Sequence, residues 1–351
     1  MSDLFPDAPR PDQAPYPWQA RNWETLLANL DDGQLAHAYL VSGASGLGKR
    51  AFVHAFARYL LCLEPVAQRA CGHCPNCLVA GGSYHPDILV VAPQDDSRDI
   101  KVDQVRELGE FLQQTSHSGR AKIVILQQAQ ALNISAANAL LKSLEEPSAN
   151  SYLFLVTDMP GMLLPTIRSR CQRIAMHSPS WKQGEAWLQQ VQPQLLEHHG
   201  VDEVLQLWQE LGGRPLRLLD LLEQDYLEQR HDFELAMWQF EQGRLSLADL
   251  VVRVAKQGEG TVLGYLQRLS TILIKYLATD ELPSGISDEV MQLSQRTATT
   301  DKRGALMPLL RFNQQAGLAL RQLAASTNPN PRLLLESLLH QWSLLRGIGP
   351  G

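Results

Sequence analysis

Four cysteines fall within sixteen positions: Cys62, Cys71, Cys74 and Cys77. Four thiolates at this spacing are enough for a closed tetrahedral metal site, with the tight CxxCxxC half wrapping the ion and Cys62 closing the fourth corner. Crowding of this kind in a reducing compartment favours metal over disulfides. A full set of protein ligands leaves no open position, so the expected role is structural. An iron–sulfur cluster is the rival reading, because CxxCxxC also serves there. The sequence carries no sign of a flavin or other redox partner, and zinc is the preferred ion. His73 is either a substitute ligand or an exposed loop residue.

A second constellation is Gly43-Ala44-Ser45-Gly46-Leu47-Gly48-Lys49-Arg50. The first seven positions fit a phosphate-binding loop. Gly43, Gly46 and Gly48 let backbone N–H groups curl round phosphates, and Lys49 would reach the outer ones. The eighth position should carry a hydroxyl for Mg²⁺. Arg50 stands there and cannot ligate a cation. The next core strand should end in acids, but Lys122–Leu126 runs into Gln127-Gln128. A neutral amide neither balances Mg²⁺ nor acts as a general base. Hydrolysis is therefore not expected, while nucleotide binding by the loop stays open.

A third is Leu164-Pro165-Thr166-Ile167-Arg168-Ser169-Arg170-Cys171. It sets two arginines beside a small hydroxyl residue just past the last predicted strand. A guanidinium forks onto phosphate oxygens and can stabilise charge on a phosphoryl group held by another subunit. The plainer reading is a surface arginine in a weak salt bridge.

The elements needed to position these groups alternate. A helix is expected over residues 18–30, a strand at 38–43, a helix at 49–61, a strand at 87–91 and a helix at 102–114. A strand at 122–126, a helix at 134–144 and a strand at 152–157 follow. Such alternation predicts a parallel sheet with helices on both faces. Residues 1–17 read as a flexible lead-in. Beyond a short linker at Ser178–Ser180 the periodicity is helical, broken at Gly212–Pro215 and Asp280–Ser287. The expected organisation is an α/β domain over 1–177 with its metal module at 62–77, a small helical domain over 178–221 and a helical domain over 222–351. The formal net charge of −6 does not announce a nucleic-acid binder. No apolar run approaches the ~20 residues of a membrane span. The acidic, Pro-rich start lacks the layout of a secretory signal, so a cytoplasmic location is expected.

Several segments together resemble one family. They are the GASGLGK turn, the cysteine spacing, His85-Pro86-Asp87, the run Ala136–Pro147 (AANALLKSLEEP) and the triplet Ser169-Arg170-Cys171. All are similar to bacterial DNA polymerase III clamp-loader subunits of the gamma/tau and delta-prime type. The resemblance is strong over residues 16–220. It continues weakly to Asn328–Leu338, which looks like the family's last helix. It implies an AAA+ P-loop domain with a zinc insertion, a helical lid and an all-α collar. It also implies membership of a five-part ring with gamma/tau and delta subunits, acting on a sliding clamp and primed DNA in the replisome. Loss of the catalytic groups beside a retained Ser169-Arg170-Cys171 looks like the delta-prime type. In that setting Arg170, supported by Ser169, would reach ATP on a neighbour, and Arg168 would support an interface or the DNA backbone. Thr157 would correspond to a polar sensor. A sensing arginine is expected where Leu216 stands, and Arg217 is one step out of register. Two alternatives remain: an active ATPase that accepts Gln127 or Gln128 in place of acids, and a zinc-dependent DNA-binding module. Arg69, the one basic residue between Cys62 and Cys77, argues against the latter.

Overall fold

A computed structural model describes residues 14–81, 85–94, 97–283, 285–300, 302–324 and 329–346. Most of the expected lead-in, and Asn328, lie outside the described residues. Two compact units account for the rest. One runs to Gln190 and takes in Leu211–Leu218; the other comprises Val191–Glu210 and the chain from Leu219 onward.

The first unit begins with α1 (Ala20–Asp31), β1 (Ala38–Ser42), α2 (Lys49–Leu61), α3 (Pro75–Gly81), β2 (Ile88–Val91) and α4 (Val102–Gln113). It continues through β3 (Lys122–Leu126), α5 (Ile134–Glu145), β4 (Ser151–Thr157), α6 (Pro165–Arg168), β5 (Gln172–Ala175) and α7 (Trp181–Val191). The five strands lie in the order β2-β3-β4-β1-β5, all parallel. Successive strand residues point to opposite faces. Tyr39, Val41, Ile123, Ile125, Phe154 and Val156 pack with α1 and α2 residues such as Trp23, Phe52 and Phe56. Leu40, Val124, Leu126, Leu153 and Leu155 pack with Val105 and Leu108 of α4 and with Ala136 and Leu140 of α5. Burial on both faces is why these strands read as unbroken apolar runs.

The fifth strand was not expected. Gln172, Arg173 and Ala175 are exposed and only Ile174 is buried. It lies at the sheet edge beside β1, where one apolar residue suffices. The short helices α3 and α6 were also missed, being one or two turns long.

Asp87 fixes the turn that precedes β3. Its carboxylate accepts hydrogen bonds from the backbone N–H of His117 (2.8 Å) and Ser118 (2.7 Å) and from the Ser116 hydroxyl (3.0 Å). Lys122 Nζ stands 3.2 Å away, also buried. Burial works to raise the acid's pKa, but these donors outweigh it and hold the group below its ordinary 3.8. A depressed carboxylate pKa stabilises the fold above the unfolded value, and that stabilisation is lost as pH falls through and below about 4. Asp87→Asn strands the buried Lys122 charge and is expected to cost about 3 kcal/mol at pH 7. In urea titrations the variant should lose less stability than the parent between pH 5 and pH 3.

The second unit is helical: α8 (Pro193–His199), α9 (Val201–Glu210), α10 (Pro215–Leu222, shared between units), α11 (Tyr226–Glu241), α12 (Leu247–Ala255), α13 (Glu259–Thr279), α14 (Asp288–Thr300), α15 (Lys302–Ala324) and α16 (Pro331–Leu345). Its core gathers Phe233, Leu266, Leu273, Phe312 and Trp342. Buried Glu241 binds it internally, accepting from Arg346 Nε (2.5 Å) and Nη2 (2.9 Å) and from Trp342 Nε1 (3.2 Å). Asn330, the N-cap of α16, accepts from the backbone N–H of Arg332 and Leu333, which fixes where that helix starts. Among the described residues no helix is long and apolar enough to cross a membrane.

Candidate functional site

The glycine-rich loop leaves β1 and enters α2, as the spacing predicts. Gly43, Gly46 and Gly48 all have positive φ, at 152°, 83° and 77°. All three are also sterically obligatory, a Cβ on Gly43 falling 2.5 Å from the Met176 carbonyl oxygen. A Cβ on Gly46 would lie 2.9 Å from Cβ of Arg217, and one on Gly48 would lie 2.6 Å from the Tyr16 ring. The loop is thus covered from two sides. On one side Trp18 Nε1 and Gln19 Nε2 donate to the Leu47 carbonyl, at 3.0 and 2.8 Å. Tyr16 and Trp18 are stacked there, 4.9 Å between centroids, with Trp187 edge-on. On the other side the N–H of Leu216 donates to the Gly46 carbonyl at 3.1 Å.

Lys49 does not point outward. Only 1% exposed, its ammonium donates to the Ala44 carbonyl (2.6 Å) and pairs with Asp158 (2.6 Å). Asp158 directly follows β4, and the sequence reading overlooked it. The available signal was an acid next to Thr157 at the end of a core strand. The Thr157 hydroxyl donates to Gln130 Oε1 at 2.7 Å. Gln127, buried at the end of β3, lies 3.2 Å from His54 Nε2. Burial, followed by the charge of Arg50, pushes His54 down to about 4. The position that would hold a metal-organising acid thus faces a neutral imidazole. Arg217, one residue out of the expected register, nevertheless lies against Gly46.

The four cysteines converge at the end of α2 and the start of α3. All four sulfurs lie within 4.8 Å of one another, with Cys62, Cys74 and Cys77 buried. Cys71 Sγ and Cys77 Sγ are 3.9 Å apart. Four Zn–S bonds of ~2.3 Å in a tetrahedron require sulfurs ~3.8 Å apart. An iron–sulfur cluster spreads its thiolates over separate irons and would hold them farther apart. The donor set fits a single tetrahedral ion. The Leu63 backbone lowers the Cys74 thiol to about 6, whereas burial pushes Cys77 up to about 12. A bound cation is what allows four thiolates to share this space. His73 is 70% exposed and bonded to the Cys71 carbonyl, outside the sulfur cluster. The module is anchored by Asn76 Nδ2 donating to the Leu61 carbonyl (2.8 Å) and by Trp23 Nε1 donating to the Gln68 carbonyl (3.1 Å).

The third constellation closes α6. Ser169 Oγ and Arg170 Nη1 both donate to the Thr166 carbonyl, at 3.1 Å each. Arg170 Nη2 pairs with Glu145, the last residue of α5, at 2.7 Å. Arg170 is 38% exposed and Glu145 50%, so the guanidinium is surface-held and exchangeable.

Nearly the whole chain is similar to known proteins. A family model described as DNA polymerase III, delta subunit, matches residues 18–180. DNA polymerase III subunit delta' of Pseudomonas aeruginosa is 35% identical over 341 residues, 95% of this chain and 99% of that protein. The chain belongs to the family of DNA polymerase III delta-prime subunits. The delta' subunit of Escherichia coli is 40% identical over 173 residues, 49% of this chain and 52% of that protein. A DNA polymerase III subunit tau/gamma, from Haemophilus influenzae, is 38% identical over 148 residues, 42% of this chain and 21% of its own length.

Proposed function

We propose that this chain is a catalytically silent member of a clamp-loader ring, built into the complex with gamma/tau and delta subunits. In this reading it lends Arg170 to ATP held by a neighbouring gamma/tau subunit while the ring places a sliding clamp on primed DNA. The observation that carries the silent half of the proposal is the Lys49–Asp158 pair. The lysine that would meet the outer phosphates is already neutralised, buried and bonded to its own loop. Arg50, Gln127 and Gln128 supply neither the Mg²⁺ hydroxyl nor a carboxylate. Arg170 supports the active half because it is charged at any physiological pH and held only by exposed contacts.

In the same reading the chain divides into a P-loop-like domain over 1–177, a lid over 178–221 and a collar over 222–351 that packs against neighbouring subunits. The four-cysteine site holds Zn²⁺ structurally and Arg168 supports the interface. Gly43, Gly46, Gly48 and Lys49 keep the shape of a phosphate loop without turnover.

The experiment mixes the chain with gamma/tau and delta partners and follows complex formation and ATP turnover together. A stable complex should form whose turnover is unchanged by Lys49→Ala, and the chain alone should show no turnover above background. A rate near one per second from the isolated chain, abolished by Lys49→Ala, would refute the proposal.

A further inference from the structure

A second group of metal-ligating side chains lies in the C-terminal unit, distant in sequence from the cysteines. His198 and His199 end α8, and Gly200 follows with a φ of 79°. Glu228 stands in the first turn of α11. His198 Nε2 is 2.9 Å and His199 Nδ1 is 3.3 Å from the same oxygen, Oε1 of Glu228. The three ligand atoms all lie within 4.8 Å of one another.

We propose that His198, His199 and Glu228 form a second metal site, for Zn²⁺ or a divalent ion of similar preference. Consecutive helix residues project about 100° apart, so they rarely reach one point with like atoms. Here the two rings present opposite nitrogens, Nε2 from one and Nδ1 from the other, with planes 73° apart and centroids 4.7 Å apart. That choice lets neighbours in sequence converge. Bonds of ~2.0–2.2 Å to nitrogen and oxygen place tetrahedral ligand atoms about 3.4 Å apart, close to the separations seen. Imidazole and carboxylate together suit Zn²⁺ and its neighbours rather than Mg²⁺ or Ca²⁺. His199 is 4% exposed and walls the site, while His198 at 68% and Glu228 at 43% leave one side open. Three protein ligands and an open position admit a water as the fourth ligand and make the ion exchangeable, unlike one enclosed by the cysteines. The ion would tie α8 to α11. A neutral ring that turns an N–H toward the carboxylate would shift that proton to its other nitrogen, freeing the facing lone pair for the ion.

The test uses the full chain with its cysteine site first saturated with zinc. Co²⁺ is then added in equilibrium dialysis, with metal analysis and visible spectra. The proposal predicts about one further equivalent per chain, with d–d bands but no thiolate charge-transfer band. His198→Ala, at an exposed position, and Glu228→Gln should each weaken that equivalent at least ~10-fold while leaving the zinc content unchanged. The proposal is overturned if no further equivalent binds at ~100 µM free Co²⁺, or if both variants bind it as the parent does. It is equally overturned if the bound cobalt shows thiolate charge transfer alone.

Discussion

Replacing Arg170 by alanine is expected to slow DNA-stimulated ATP turnover at the adjoining gamma/tau site by about 10³-fold in the reconstituted ring. In the proposed arrangement the size follows from removing a fixed positive charge from a transferring phosphoryl group, where water cannot replace it. Folding should be nearly untouched. Within the chain, Arg170 holds only the half-exposed Glu145 carboxylate and the Thr166 carbonyl, and exposed pairs of this kind contribute ~0–1 kcal/mol. Arg170→Lys should restore charge but not the two-pronged geometry, and should recover only part of the rate. Melting curves and complex formation distinguish loss of the side chain's action from loss of the protein. Unchanged turnover in an intact ring would reduce Arg170 to a surface residue.

The second large effect concerns the cysteine module. Its interior consists of Cys62, Cys74 and Cys77, with Ala70 and Cys71 packed against them. So small an apolar cluster cannot order the segment by itself, and in the proposed zinc reading metal ligation supplies most of its folding energy. Cys77→Ser, or prolonged chelation, is expected to take the bound zinc at this site from one equivalent per chain to none. The segment 62–81 should then become open to proteases, because what still ties it to the rest of the chain is a few hydrogen bonds such as those of Asn76, Trp23 and Arg120. The sheet should survive, since its two cores lie on β1, β3 and β4 with their own helices. Metal analysis beside limited proteolysis checks both halves. A brown, iron-bearing protein or an intact segment after zinc loss would contradict the assignment.

Much of the α/β unit was legible because its physics is local. Runs such as Lys122-Ile123-Val124-Ile125-Leu126 can only be doubly buried strands, and Pro147 stops the helix before it. The cysteine spacing likewise announced its own geometry. What escaped the reading depends on partners far apart in the chain. Nothing around Lys49 foretells that Asp158 will neutralise it, or that Thr157 will turn to Gln130. Nor does the segment Gly213–Arg217 reveal that it closes over Gly46. The edge strand at Gln172–Ala175 hides because three of its four residues meet water. His198, His199 and Glu228 carry no spacing signal in the sequence and meet only through the packing of α8 and α11.

The most direct measurement is a structure of the assembled ring with a non-hydrolysable ATP analogue on the gamma/tau subunits. The account predicts that Arg170 leaves Glu145 and places its guanidinium about 3 Å from the terminal phosphate on the adjoining subunit. An Arg170 still paired with Glu145, with another subunit's side chain on that phosphate, would contradict it.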